Sequence, residues 1–403
     1  MPASRRLRRS AGFLAALLAV SVTPGAHAQR AESRWTIVDA KALLAYVDGI
    51  GNEGLIPADY APQTLRRAIE NKEGAVLDAA ADASLIALVE DLRDGRTPVD
   101  DRGAWYVDDD DEIRNPTDAV LARALRTHDI SGTLASLDPT APDYAALKEA
   151  LAGTPAADTR RRALLRVNMD RWRWFPRDFG SDYLFVNVPE FRLRQVRGGD
   201  VVGNYRVIVG KPGDTATPIL AEKAAAVVLN PVWTVPEPIA EGEGLGARLL
   251  AHPETARAGG YVVRRDAGGK ISVIQQPGPA NVLGKVKIDM PNAYGIYLHD
   301  TPAQDLFNRT VPALSHGCLR VEGAIALATD LAETKADMRP AAVRAIIGTG
   351  QTHNIGLSSP MPVFIGYFTI GPTSNRGSLG VFGDIYSWDA QVGASFQRPR
   401  VPR

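Results

Sequence analysis

Cys318 is the only cysteine among 403 residues, and it stands in the run Ser315-His316-Gly317-Cys318-Leu319-Arg320. A lone thiol cannot close an intramolecular disulfide, so it is either a small apolar filler or a reactive group. Its neighbours favour reactivity. Two of the six histidines, His316 and His299, precede it by 318 − 316 = 2 and 318 − 299 = 19 positions. The thiolate is the nucleophilic form of cysteine, and an imidazole held near the sulfur can take its proton close to neutral pH. Gly317 has no side chain, so another chain can approach the sulfur and the backbone can adopt angles closed to other residues. Thiol, imidazole and glycine together point to covalent catalysis, in which sulfur attacks a carbonyl and is later released.

The same residues carry a resemblance. A histidine followed downstream by Ser/Thr-His-Gly-Cys resembles the signature of the L,D-transpeptidase catalytic domain. Leu319 fits the hydrophobic position that follows the cysteine, and Arg320 stands where the signature often has Asn, as in the larger Gram-negative branch. Arg171-Trp172-Arg173-Trp174-Phe175-Pro176, Val209-Gly210-Lys211-Pro212, Asn230-Pro231-Val232-Trp233 and Pro277-Gly278-Pro279 resemble that branch in the same order. The resemblance covers residues 165–390 strongly and 35–155 weakly. It implies a peptidoglycan L,D-transpeptidase, which attacks the carbonyl between an L-centre and a D-residue of a stem tetrapeptide, releases D-alanine and passes the acyl group to an amine to cross-link the wall.

By that resemblance Cys318 is the nucleophile and His299 the general base that later acts as acid. The backbone N–H groups of Gly317 and Cys318 are natural donors to the oxyanion. Tyr297 is a candidate further donor, because it shares a face with His299 if residues 295–299 are extended; ordinary core packing is the alternative. Arg320 is expected on a substrate carboxylate, or in a pair with Glu322 or Asp300. Ser315, His316 and Trp233 are placed on the substrate side, with Trp233 equally suited to a core. Trp172 and Trp174 read as packing between domains. No cofactor and no metal are expected, and carbapenems are expected to acylate Cys318.

Three rival readings stand beside this one. Cys318, His299 and His316 have the ligand types of a zinc hydrolase, although no H-E-x-x-H spacing accompanies them. The chain could be a non-catalytic wall-binding or scaffold protein that retains the fold. The acyl-enzyme could also be resolved by water, making an L,D-carboxypeptidase.

The elements that must position these residues divide the chain in two. Ile37, Ala40, Leu43, Leu44 and Val47 recur at helical spacing, as do Leu85, Leu88, Val89 and Leu92. Residues 29–155 are therefore expected as a helical N-terminal (scaffold) domain, with Ala152-Gly153-Thr154-Pro155 as its linker and 156–180 as a helical connector. The acidic run Asp108 to Glu112 reads as a solvated loop. No room is left for the small peptidoglycan-binding module common in that branch. From Tyr183 the period becomes that of strands, including Gly295–His299, Pro362–Thr369 and Leu379–Trp388, with helices over Gly323–Leu331 and Ala341–Ile347. The fold class is thus α+β, with a β-rich catalytic domain over 181–390 and a C-terminal tail over 391–403. Residues 237–282, rich in Gly, Ala and Pro, are expected as a flap-like insertion over the site.

Arg5, Arg6, Arg8 and Arg9, the apolar run Gly12 to Val22 and Ala26-His27-Ala28 read as a secretory signal peptide over 1–28, cleaved before Gln29. This implies export to the periplasm of a Gram-negative bacterium, by the general or the twin-arginine route, with association to membrane or wall. The 46 basic and 46 acidic residues cancel, and removing four leader arginines leaves 42 against 46, or −4. Nothing in that balance favours nucleic acid. Stem peptides of peptidoglycan are the expected partners, and oligomeric state is not legible.

Overall fold

The computed structural model describes residues 34–108, 110–373 and 378–402. The expected leader lies outside them. No helix among the described residues is long and apolar enough to cross a membrane. A helical N-terminal region precedes a β-rich region.

Thr36 caps α1 (Ile37–Gly49), accepting the Asp39 N–H at 3.1 Å. α2 (Pro62–Glu70) opens on a proline, whose missing N–H costs nothing in a first turn. In α3 (Ala75–Asp94), Leu77, Ala81, Leu85, Leu88 and Leu92 form one buried stripe. α4 (Asp111–Arg114) is a single turn, and α5 (Thr117–Thr127) and α6 (Ile130–Ala135) join α1–α3 to enclose a first apolar core around Trp35 and Tyr60. α7 (Pro142–Gly153) and α8 (Thr159–Trp172) pack elsewhere. Their Tyr144, Leu147, Leu165 and Met169 belong to the core of the β-rich half. Packing therefore does not break at Ala152–Pro155. The expected connector is core because its aromatics bind it to the sheet: Trp172 stacks on Phe368 at 4.3 Å and Phe179 on Phe364 at 4.0 Å between ring centroids.

Strands β1 (Tyr183–Asn187), β2 (Arg192–Arg197) and β3 (Asp200–Gly210) form an antiparallel meander, and β4 (Leu220–Leu229) follows. The insertion comes next. It holds β5 (Trp233–Thr234), a π-helical turn over Pro238–Gly242, α9 (Leu245–Ala251), α10 (Pro253–Ala258), β6 (Tyr261–Arg265) and β7 (Ile271–Gln275). Its sheet runs β5-β7-β6, over a small core of its own made by Val235, Ala240, Leu249, Ala256 and Val273. The main sheet resumes with β8 (Val286–Asp289), β9 (Leu298–His299), β10 (Ala313–Ser315) and β11 (Leu319–Val321). Helices α11 (Ala324–Ala336) and α12 (Pro340–Thr349) lead into β12 (His353–Gly366). The order is β10-β3-β11-β9-β8-β4-β12-β1-β2, and a further β2–β3 pairing closes all but β10 into a ring. A ring leaves few open edges. β12 shifts register between Gly356 and Met361, where Pro360 removes a ladder donor.

Four sequence expectations need correction. The strand expected over Gly295–His299 shrinks to Leu298–His299, because Asn292 replaces the ladder before it. Its amide accepts the N–H groups of Tyr294 and Ile296 at 3.0 and 3.1 Å and donates to the carbonyls of Met290 and Ile296 at 2.6 and 2.7 Å. The strand expected over Leu379–Trp388 is only β14 (Leu379–Val381), paired with β13 (Ile370–Pro372). Beyond it the Asp384 carboxylate accepts from the Tyr367 hydroxyl and from the N–H groups of Trp388 and Asp389 at 2.6, 2.9 and 3.0 Å. The acidic run is not all solvated, since Asp111 is fully buried and pairs with Arg177 at 2.9 Å. The C-terminal tail is a strap. After α13 (Asp389–Ser395), Arg400 binds Asp91 at 2.9 Å and Glu90 at 2.6 Å on α3.

Candidate active site

β9 and β11 pair in parallel, with Leu298 opposite Leu319 and His299 opposite Arg320; β8 flanks β9, with Lys287 opposite His299. Leu298 and Leu319 are fully buried. Side chains alternate along a strand, so Lys287, Tyr297, His299, Cys318 and Arg320 share the opposite face. Three short strands thereby gather the cysteine, the histidine and two cations that stand up to 320 − 287 = 33 positions apart in sequence. The Tyr297 and His299 rings lie 5.6 Å apart, and Lys287 Nζ is 4.5 Å from the Tyr297 ring centre. The Tyr297 hydroxyl lies close enough to the Cys318 sulfur to influence it, and the Trp233 indole close enough to the Tyr297 oxygen to do the same. Trp233 thus adjoins the site, though through Tyr297. Burial pushes the Tyr297 phenol well above its ordinary range, so it remains a donor.

His299 Nδ1 lies 2.6 Å from the Asp300 carbonyl. A carbonyl can only accept, so Nδ1 carries the proton and Nε2 presents a lone pair. Burial first, then the Arg320 and Lys287 charges, lower this imidazole to about 3, so it is neutral at pH 7. Cys318 departs from the sequence expectation of a thiolate generated near neutral pH. Burial raises its thiol, and that outweighs the opposing pull of Tyr297, Lys287 and Arg320. The resting S–H donates to the Gly295 carbonyl at 3.6 Å. Among the described residues no hydrogen bond joins sulfur to imidazole. The resting pair is neutral thiol and neutral imidazole, and the proton moves once the sulfur turns toward Nε2, as apo sites commonly tighten only on substrate.

Gly317 makes the turn that presents the sulfur. Its φ of +108° is closed to most L-residues, and a Cβ there would stand 3.2 Å from Ile296 Cδ1. Its carbonyl accepts from Thr217 Oγ1 at 2.8 Å, and Thr217 is held in turn by Gly210 and the Tyr386 hydroxyl. Ser315, expected on the substrate side, is buried and structural instead. Its hydroxyl donates to the Cys318 carbonyl at 2.6 Å and accepts the Gly317 N–H at 3.1 Å. That second bond also corrects the expected oxyanion role of Gly317, whose N–H is already engaged. The Cys318 N–H makes no hydrogen bond among the described residues and stays available. Thr217, Tyr386, Lys287 and Gly295 were not found from sequence, because nothing local distinguishes them.

His316 points away from the sulfur: its Nε2 lies 2.7 Å from Glu243 Oε1 of the insertion. It is therefore not gathered with His299 and Cys318 as a metal ligand would be, and among the described residues no three His, Cys, Asp or Glu side chains are so grouped. Arg320 takes neither partner considered for it. Glu322 pairs with Arg206, and Asp300 accepts from the Lys285 N–H at 2.8 Å. Among the described residues Arg320 Nε is buried without a partner, and burial lowers the guanidinium.

Residues 181–365 match the family model of the L,D-transpeptidase catalytic domain, and residues 29–151 match that of a scaffold domain. An L,D-transpeptidase homologue in Haemophilus influenzae is 32% identical over 243 residues, which is 57% of this chain and 48% of that protein. The chain thus spans about half the length of the curated relative it matches. Among solved structures, a mutant L,D-transpeptidase of Enterococcus faecium is 14% identical over 48% of this chain and 52% of its own, with a TM-score of 0.24. One from Mycobacterium smegmatis is 14% identical over 46% of this chain and 58% of its own, with a TM-score of 0.23.

Proposed function

We propose, for a chain that belongs to the L,D-transpeptidases by its catalytic domain at residues 181–365, that Cys318 carries the acyl group of a peptidoglycan stem peptide between a donor and an amine. The observation that carries this reading is the shared face of β9 and β11, which sets the sole cysteine beside Tyr297 and one step from His299. His299 Nε2 takes the thiol proton as sulfur attacks the carbonyl. The Cys318 N–H and the Tyr297 hydroxyl receive the oxyanion. As the C–N bond breaks, His299 returns the proton to the departing D-alanine amine, leaving a thioester. An acceptor amine then attacks; its proton passes through His299 to sulfur as the C–S bond breaks. Arg320, whose buried Nε is unpartnered among the described residues, is suited to a donor carboxylate. The leader composition supports export to the periplasm.

The test is intact mass measurement with a stem tetrapeptide or a carbapenem. One adduct per chain is expected, absent from Cys318→Ala, together with release of D-alanine from the peptide. An adduct that survives in Cys318→Ala overturns the reading.

The insertion reads as a cover that excludes water, supported by the tie of its Glu243 to His316 and by its β7, which pairs at Gln275 with Trp233 beside Tyr297. Trimming residues 237–282 is expected to shift products from transfer toward hydrolysis. An unchanged product ratio removes the cover from the mechanism.

A further inference from the structure

A cavity of about 510 Å³ opens beside the turn that precedes Cys318. His316 and Gly317, the two residues before Cys318, line it together with Tyr106, Tyr294, Asp214 and Trp388. Tyr106 and Tyr294 stack face to face, with ring centroids 4.4 Å apart and planes at 21°. Both rings remain 47% and 45% exposed, so the stack is a wall and not a core contact. Tyr106 comes from the part of the chain that matches the scaffold family, yet it is fixed firmly to the β-rich half. Trp105 beside it is buried in the main core and donates to the Trp174 carbonyl at 3.3 Å. The Tyr106 N–H donates to the Ile219 carbonyl, and the Ile219 N–H to the Ala104 carbonyl, each at 2.9 Å.

Two sets of charges of opposite sign surround the Gly317–Cys318 turn. Lys287 and Arg320 act on Cys318 and His299. At the cavity, Asp214 is part of the lining, Asp108 and Glu222 act on the Tyr294 phenol, and Glu243 holds His316. A donor carboxylate is drawn to the cationic pair. An ammonium group is drawn to the acidic set at the cavity, where aromatic faces attract cations as well. If Glu243 accepts from His316 Nε2–H, the ring presents a free Nδ1 lone pair, an acceptor for an ammonium N–H.

We propose that this cavity is the acceptor subsite and that it takes an aliphatic primary ammonium group, with Tyr106 and Tyr294 as its specificity-determining wall. This rests on Cys318 as acyl carrier. The ammonium loses one proton to bulk water before attack. The neutral amine then forms the N–C bond as the C–S bond breaks, and its second proton reaches sulfur through His299. The N-terminal region thereby supplies one wall of the site.

The test uses the full chain, acylated on Cys318 by a stem tetrapeptide, with an Nα-acylated lysine titrated as amine. The amine concentration for half-maximal transfer is expected to rise about tenfold in Tyr106→Ala and several-fold in Asp214→Asn. Tyr106→Phe, which keeps the stack, is expected to restore it. Acylation, read by the mass shift on Cys318, is expected to change far less than transfer. Unaltered amine saturation in both Tyr106→Ala and Asp214→Asn, with acylation intact, overturns the subsite alone. Absence of any Cys318 adduct in the unmodified protein overturns the acyl-carrier reading and the subsite with it.

Discussion

In His299→Ala, acylation of Cys318 by a stem tetrapeptide is expected to fall by about 10²–10⁴-fold, the usual worth of a positioned general base. The reason is the resting protonation. Burial keeps the thiol protonated and the imidazole neutral, so attack requires a proton to leave the sulfur as the S–C bond forms, and His299 Nε2 is the acceptor the sheet supplies. His316 stands two residues from the sulfur and is the obvious choice by proximity. It is bound to Glu243, and His316→Ala is expected to lose far less acylation. Single-turnover acylation rates decide between them. A larger loss in His316→Ala would transfer the role.

The pH dependence follows from the same two groups. His299 titrates near 3 in the fold against an ordinary 6.5, so the reactive neutral pair is present throughout the neutral range. Acylation should therefore be nearly level from about pH 5 to 8, without a break at 6.5. If free thiolate were the reactive form, the rate would climb about tenfold per pH unit up to the thiol's raised pKa. The sign for stability is the same. Between about 3 and 6.5 the unfolded chain binds more protons at this residue than the folded one, so stability gained above 6.5 is lost as pH falls toward 3.

The sequence made the α+β class, the order of the elements and the run Ser315–Arg320 legible because each is a local pattern. Periodicity marks helices and strands, and a sole cysteine beside histidines marks a reactive group. Even the Asp300 carbonyl on His299 could be anticipated, since that group adjoins the ring in sequence. What stayed hidden depends on register and burial. Lys287 joins the site only through the pairing of β8 with β9. Ser315 reads as a substrate contact until its burial and its two backbone bonds are seen. The thiol's protonation state cannot be read from neighbours in sequence, because burial, the dominant influence, is a property of the fold. Within the Arg171–Pro176 run the sequence marked Trp172 and Trp174 as packing between domains, but not Arg173, whose buried guanidinium donates to the Glu53 carbonyl and the Tyr144 hydroxyl.

That junction carries the largest stability effect expected of one side chain. Asp170 is fully buried on α8; its two carboxylate oxygens accept the N–H groups of Arg96 and Thr97 at 2.7 and 3.0 Å, and it faces Arg173 at 3.6 Å. The turn it holds is already tight: a Cβ on Gly95 would lie 2.3 Å from Trp174 Nε1, at a φ of +75°. Asp170→Ala leaves two buried donors unmet and removes the carboxylate facing a buried guanidinium, at a cost of about 3–5 kcal/mol. Asp170→Asn keeps one acceptor and should lose less. Urea unfolding should show a lower midpoint at similar slope, scarcely altered by salt because the pair is dry. A loss below about 1 kcal/mol in Asp170→Ala would mean that the turn is held by Arg96 alone, through Asp59 and the carbonyls of Ser395 and Arg398. The Arg96–Tyr106 segment leads from this turn to the cavity wall, so loosening it should weaken amine transfer in step with stability, and a variant that lost stability with transfer untouched would show that Trp105 alone fixes Tyr106.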